Sequence, residues 1–543
     1  MCPSAQPADL ITVLHGRVWC PVQGDLDAVA IRGDLVIAVD AAALALADTP
    51  GAAVVEVGDG ILIPAFGDGH AHPVFAGLQA HGPHISDAGS VAEVVAQVAR
   101  WAAEHPHEPW IRGASYDPAL APDGLFDARW LDEAVPDRPV VLRAADYHTV
   151  WVNTMALHLA GIDASTPAPP LGEIARRADG TPLGTLREWG AVDLVLDVAG
   201  PHPLDVRVRA LEEATTHLAS LGITWVQDAW VEADDVEAYL AASAQKRLHT
   251  AVDLALYADP RRGPQQVDRL VALRDRVRER GDPLLTANTV KLFADGVIEG
   301  GTAALLDPYA GSGCAHRGML VWEPVALVAI VTAVDAHGFQ VHVHTIGDAA
   351  VRTALDAVEA AISANGPRPD RRPVLAHVQL IDEADRPRLA ALGVIANAEP
   401  LWAQLDDVME ALTVPRLGEP RASAQYPWAT LRDLGARLSF GSDWPVSSPD
   451  PLAGIATACT RQTEDRMPAA GWTPHERLSL TAALTAYTAG SAYQAGRRAG
   501  TLEVGNDADL VLLDRDPFAL TDPGDLANAR VTRTWLRGRS LSG

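Results

Sequence analysis

Between Ile61 and Ser442 of this 543-residue chain, short apolar runs alternate with longer stretches of helical periodicity, and no other feature limits the fold as tightly. The runs are 61–66 (ILIPAF), 222–228 (GITWVQD), 250–257 (TAVDLALY), 288–294 (NTVKLFA), 339–344 (FQVHVH), 373–378 (PVLAHV), 393–398 (GVIANA) and 437–442 (RLSFGS). Four to eight apolar residues between helical segments read as strands buried on both faces, the pattern of βαβ units and a parallel sheet. Val351, Leu355, Val358 and Ile362 recur at helical spacing behind Asp348, which predicts an intervening helix over 347–364. Eight strands with helices between them imply an α/β fold, a (β/α)8 TIM-type barrel over 61–499. Residues 76–205, after the first strand, far exceed the roughly 2–6 residues of a βα loop and predict an inserted subdomain with a strand of its own at 139–145. Residues 1–60 and 500–543 read as short alternating strands with Gly and Asp turns, a small β-sandwich domain built from both termini.

Composition sets the remaining bounds. With 48% hydrophobic and 21% charged residues, the chain can bury a large core. Its 43 basic and 70 acidic residues give a net charge of −27, which repels phosphate backbones and anionic lipids and argues against nucleic acid or membrane partners. The expected partner is a small-molecule substrate, with a homo-oligomer allowed. The opening residues lack a basic start followed by an apolar core, and no apolar run approaches about 18 residues, so a cytoplasmic protein is expected. Cys2, Cys20, Cys314 and Cys459 are scattered without a C-x-x-C pair, so any metal must use nitrogen and oxygen ligands.

The chemistry gathers at the C-terminal ends of the expected strands, where barrel enzymes keep their active sites. Asp68-Gly-His70-Ala-His72 ends strand one, and histidines two apart on an extended segment can reach one ion. Chance would give roughly 0.6 H-x-H matches among 18 histidines, and three occur. His105/His107 lies in a Pro-rich polar loop and reads as surface. Of His342 and His344, only His344 sits at the strand exit, so it is taken as a ligand and His342 as a packed or hydrogen-bonded core residue. His377 ends strand six at the same barrel level. Asp443 follows strand eight, where Trp444 and Pro445 delay the next helix and leave its carboxylate facing the barrel mouth. Only Lys246 and Lys291 of the 43 basic residues are lysine. Lys246 reads as a solvated helix residue. Lys291 lies within strand four, and a neutral buried lysine can take up carbon dioxide to form a bridging carbamate, whereas arginine does not deprotonate.

His70-x-His72, Lys291, His344, His377 and Asp443, on strands one, four, five, six and eight, resemble the amidohydrolase superfamily over nearly the whole chain. The stretches VKLFADGVIEGGTAALLDPY (290–309), HTIGD (344–348) and FGSDWPV (440–446) are similar to its branch called amidohydrolase family 3, which includes N-substituted formamide deformylase and YtcJ-like proteins. DYHTVWVN (146–153) is similar to that branch's insertion motif, while Gly67 stands where the family usually has isoleucine. The resemblance implies a metal-dependent hydrolase cleaving a C–N bond of an amide, formamide or cyclic amide. His70, His72 and Asp443 would hold one metal, His344 and His377 the other, and carbamylated Lys291 would bridge them. Asp443 would serve as general base and then acid. Such ligands suit zinc best, one or two per subunit. Trp402, Trp444 and Trp151 lie beside the motifs and can wall a substrate pocket, and His148 can reach over the mouth to the developing oxyanion. The rival readings are a decarboxylase or lyase using the same ligands and a non-catalytic scaffold.

Overall fold

Eight parallel strands form the centre of the molecule, each followed by helical or irregular chain that returns outside the sheet. In the computed structural model, which describes residues 10–311 and 315–541, they are β1 (Phe66–Ala71), β2 (Ile223–Val231), β3 (Ala251–Tyr257), β4 (Leu285–Phe293), β5 (Gln340–Thr345), β6 (Val374–His377), β7 (Ile395–Ala398) and β8 (Arg437–Phe440). Cys2 and Cys314 lie outside the described residues. Consecutive strands pair in parallel from β2 through β8, with β1 beside β2. The chain just past β8 brings the ends together, where the backbone N–H groups of Ser442 and Asp443 donate to the His70 carbonyl at 3.2 and 2.6 Å. The strands are buried along almost their whole length because helices cover the outer face, which explains why they read as continuous apolar runs. The helix expected over 347–364 spans Asp348–Asn365 and buries Val351, Leu355 and Val358 against the barrel.

The expected strand 61–66 is two strands. Ile61–Pro64 pairs antiparallel with Leu510–Leu513 in a sheet built from both termini, and β1 starts only at Phe66. Pro64 has no N–H with which to continue a ladder, and the N–H of Ala65 bonds instead to the Asp509 carbonyl at 3.0 Å. The terminal sheet contains Ile11–Cys20, Gly24–Arg32, Leu35–Val39, Ala53–Glu56 and Ile61–Pro64 with Leu510–Leu513, Val531–Leu536 and Arg539–Leu541. The insertion contributes a five-stranded sheet, in the order Glu173–Arg176, Pro182–Arg187, Thr149–Val152, Val140–Ala144 and Ile111–Tyr116. The strand foreseen at 139–145 is one member of it.

Inside the barrel, below the strand ends, lies a polar layer. Gln494 donates to the Gly69 carbonyl at 2.7 Å, Gln227 to Asp253 at 2.8 Å, and Asn397 to Ser439 at 3.2 Å. These side chains are buried and hydrogen-bonded to one another and to the backbone, with Asn397 Oδ1 alone among them left unpaired, and they form the floor under the site. Gly67 and Gly69 are required by close packing. A Cβ on Gly67 would sit 2.6 Å from Ser491 Oγ, and one on Gly69 would strike Asn397, Ser439 and Gln494. The absence of isoleucine at position 67 therefore reflects how closely Ser491 approaches β1.

Candidate metal centre

Alternation along the strands decides which side chains meet at the mouth. Lys291 pairs in register with His342, and Phe293 with His344, so two inward layers are built from residues two apart on adjacent strands. His70 on β1 and His72 just past it converge on Asp443, with their Nε2 atoms 3.5 and 2.9 Å from its Oδ1. Ligand atoms of these three buried residues all lie within 4.8 Å of one another. Lys291 is fully buried, with Nζ 3.5 Å from His70 Nε2 and 4.5 Å from the centre of the Phe293 ring. The His344 and His377 rings are 4.6 Å apart, and His377 is 4.8 Å from His70. All six side chains expected at a metal site are thus brought together.

Each of three histidines spends one ring nitrogen on a protein partner outside the cluster, and His70 turns its other nitrogen towards Lys291 and Asp443. His70 Nδ1 is 2.8 Å from His342 Nε2, His344 Nε2 is 3.1 Å from the Gly296 carbonyl, and His377 Nδ1 is 2.9 Å from Glu399. Such outer partners fix ring orientation and tautomer around metals. His342, expected as a packed or hydrogen-bonded core residue, is one of them. Asp68 plays the same part for the backbone, accepting from the N–H groups of His70 and Ser442 at 3.1 and 3.0 Å and from Ser442 Oγ at 2.5 Å. Backbone strain concentrates here as well. His377 and Asp443 hold φ of 72° and 55°, conformations that side chains adopt at a cost and that cluster at functional sites.

Electrostatics favours neutral imidazoles. Burial, then the charge of neighbouring Lys291 and histidines, keeps His70 and His342 well below the ordinary range, and burial likewise holds His377 down at about 3. Burial pushes Lys291 down to about 7 against the pull of Asp443 and Glu399. Asp443 runs the other way. Burial raises its carboxyl, but His72 beside it, with His377 and Lys291, outweighs this and leaves it below the usual carboxylate range. Asp443 Oδ1 is surrounded by nitrogens, with His72 Nε2 at 2.9 Å and His70 Nε2 at 3.5 Å, and His72 Nδ1 has no hydrogen-bond partner. A buried carboxylate oxygen on which several imidazoles converge is a donor set that fits a divalent cation.

His148 is buried inside the insertion, with its ring 5.2 Å from that of His344 and its Nδ1 3.0 Å from Glu188. Burial alone would lower its pKa, but Glu188, by charge and hydrogen bond, and Asp146 raise it. Glu188, at φ 59°, also accepts from Thr302 Oγ1 at 2.5 Å, which ties the insertion to the loop after β4. Trp402 stacks on His377 at 4.9 Å, nearly parallel to it. Trp444 is half-buried and lines a larger cavity outside the centre. Trp151 corrects an expectation. It packs with Tyr116, Phe126 and Trp130 in the insertion's own core and does not line the inner cavity. Glu188 and Glu399 escaped the sequence reading because a lone carboxylate distant from its histidine carries no local signature, and Asp68, although part of the strand-one motif, was given no role because its partner Ser442 lies 374 residues away.

Strand ends carrying converging histidines, a lysine and an aspartate define a barrel hydrolase of the metal-dependent class. A family described as the amidohydrolase family matches residues 53–541. The chain belongs to the amidohydrolase family. It is 31% identical over 417 residues to the YtcJ protein of Bacillus subtilis strain 168, covering 75% of each chain. It is 28% identical to N-substituted formamide deformylase of Arthrobacter pascens, covering 82% of this chain and 81% of that one. Among solved structures, an uncharacterized metal-dependent hydrolase from Pyrococcus furiosus superposes with a TM-score of 0.71 at 25% identity, over 93% of this chain and 99% of its own. The protein is therefore an enzyme, a hydrolase of carbon–nitrogen bonds other than peptide bonds.

Proposed function

We propose that the protein hydrolyses the C–N bond of a small amide, with N-substituted formamides the first substrates to consider. The observation that carries this reading is the convergence of His70, His72 and Lys291 with the Oδ1 of Asp443 at the barrel mouth. His70, His72 and Asp443 would hold one divalent cation, and the remaining ring nitrogens of His344 and His377 a second, with zinc the best match to this donor set. Bound there, such ions supply Lewis acidity that polarises a carbonyl and acidifies water. Lys291 would carry the bridging carboxylate: its neutral Nζ attacks carbon dioxide and releases one proton. Asp443 takes a proton from the attacking water and returns it to the leaving nitrogen. His148, held by Glu188, donates to the carbonyl oxygen as charge develops there. Trp402 holds the His377 ring flat and Trp444 walls the way out.

The inner cavity is lined by the six candidate ligands and His148, with Phe75, Tyr147, Trp230 and Phe293 in its walls. The formamide deformylase relative supports a short acyl group as the first choice. We further read the terminal sheet as a small β-sandwich, because Leu14, Val29, Leu62, Leu510 and Trp535 share one core, and we keep a cytoplasmic location as the working assignment. The test is metal analysis of purified protein alongside a screen of formamides, acylated amines and cyclic amides. One or two equivalents of zinc with amide turnover are expected, both lost in His70→Ala/His72→Ala. Wild-type metal content in that double variant would place the centre elsewhere.

A further inference from the structure

A second cavity, of about 530 Å³, adjoins the enclosed one on its solvent side. Val446 lines both, and the two abut where Phe75 meets Ala76, Ala145 meets Asp146 and Asp443 meets Trp444. A further link is Gln79, whose Oε1 accepts from Tyr147 of the inner wall at 3.2 Å and from Ser115 of the outer wall at 2.9 Å. Because the two spaces share Val446, the outer one is the nearest room for the part of an amide substrate that extends beyond the reacting carbonyl. The lining has a definite chemistry. Trp444 offers an indole, exposed Asp87 and half-buried Asp117 two carboxylates, Ser447 and Ser448 hydroxyls and His84 an imidazole, while no lysine or arginine lines it among the described residues. The nearby guanidinium of Arg143 lies over the rings of Phe75 and Tyr147 at 5.5 and 5.6 Å and donates to the Tyr147 carbonyl, outside this lining. An aromatic face combined with carboxylates is the chemistry that recognises ammonium groups.

Resting on the amide-hydrolase reading above, we propose that the outer cavity seats the leaving amine and selects one bearing a second positive charge, so that the substrate class is monoacylated diamines. Hydrolysis breaks the acyl C–N bond, adds the water oxygen to the acyl carbon as a carboxylic acid and returns a proton to nitrogen, releasing the diamine. The distal ammonium stays unreacted against Trp444, Asp87 and Asp117. A distal carboxylate would meet like charge with neither lysine nor arginine in the lining to pair it.

Three isosteric formamides test this on the metal-loaded enzyme: N-formylputrescine, N-formylpentylamine and N-formyl-aminovalerate, each also made with spacers of three to six methylenes. The cation should exceed the neutral amide in kcat/KM by about tenfold at low salt, with the anion weakest. Asp87→Asn/Asp117→Asn, which keeps the Asp117 cap on the N–H of Ala119, should bring the cation-to-neutral ratio towards one. Equal turnover of cation and neutral amide at every spacer length would overturn the proposal while leaving amide hydrolysis standing. If none of the amides is cleaved, the amide reading fails, and the subsite is judged by calorimetric titration of putrescine into the metal-loaded enzyme. Binding that disappears in the double variant supports the cationic subsite, and absence of binding overturns it.

Discussion

At the residue scale, Lys291 carries the sharpest consequence of the site. It is fully buried next to His70, in a chain that otherwise uses arginine for positive charge almost everywhere, so its chemistry rather than its charge is what the position requires. Lys291→Arg should then be as damaging as Lys291→Ala, and acetate or propionate at high concentration should restore part of the activity of the alanine variant only, because arginine fills the space. Near-normal turnover in Lys291→Arg would rule out a carbamate. The sign of the pH dependence follows from its pKa of about 7. Carbamate formation needs the neutral amine, so uptake of labelled carbon dioxide by apoprotein, followed by carbon NMR, should rise as pH passes upward through about 7 and fall in more acid solution. Glu188 invites a second substitution. Its bond to His148 Nδ1 sets the ring's orientation, so Glu188→Gln should lower kcat by about tenfold or more with metal content unchanged, and Glu188→Asp should recover less than full activity. Loss of metal in Glu188→Gln would instead make it a support of the metal centre.

At the scale of elements, β1 is the strand on which the site depends, and its two glycines have no freedom to change. Gly69 lies between Asp68 and His70, above the floor formed by Asn397, Ser439 and Gln494. Gly69→Ala would push into that network, displacing the hydrogen-bonded side chains of Asn397, Ser439 and Gln494. Overpacking of this kind costs about 1–3 kcal/mol, so the denaturant midpoint of Gly69→Ala should fall with an unchanged slope, and metal affinity should fall with it. An unchanged midpoint would mean that the floor yields freely. β8 contributes differently, since the backbone of Ser442 and Asp443, not a side chain, joins it to β1 through the His70 carbonyl.

For the whole molecule, the centre draws on strands across nearly four hundred residues, so any ion held there links distant parts of the chain. Binding to the folded state alone stabilises it by about 2.7 kcal/mol when free metal is a hundred times Kd. A chelator should therefore lower the Tm and abolish activity together, and added zinc should restore both. His70→Ala/His72→Ala should show little further Tm loss with chelator, and a full wild-type shift in that variant would place the metal outside this centre. The terminal sheet takes part as well, because Ile61–Pro64, paired with Leu510–Leu513, leads directly into β1.

Much of this was legible without coordinates because its causes are local. Apolar runs locate strands, helical spacing finds the Asp348–Asn365 helix, and a strand exit points to His70, His72, His344, His377 and Asp443, while Lys291, inside β4, stood out by the scarcity of lysine. The boundary at Pro64 was missed because a strand's partner, not its composition, assigns it to one sheet or another. Trp151 was misjudged for a related reason, since proximity to a motif along the chain says nothing about which core a side chain enters. Partners remote in sequence lay beyond any local reading. Glu188 meets His148 across forty residues and Thr302 across more than a hundred, and Asp68 meets Ser442 across 374. The sequence alone determined the repeating strands and the candidate ligands at their ends, because these depend on short-range periodicity and residue type. The tertiary structure alone decided which partner each histidine ring meets, the strained backbone at Asp443 and the lining of the two cavities, because those depend on where distant segments come to rest.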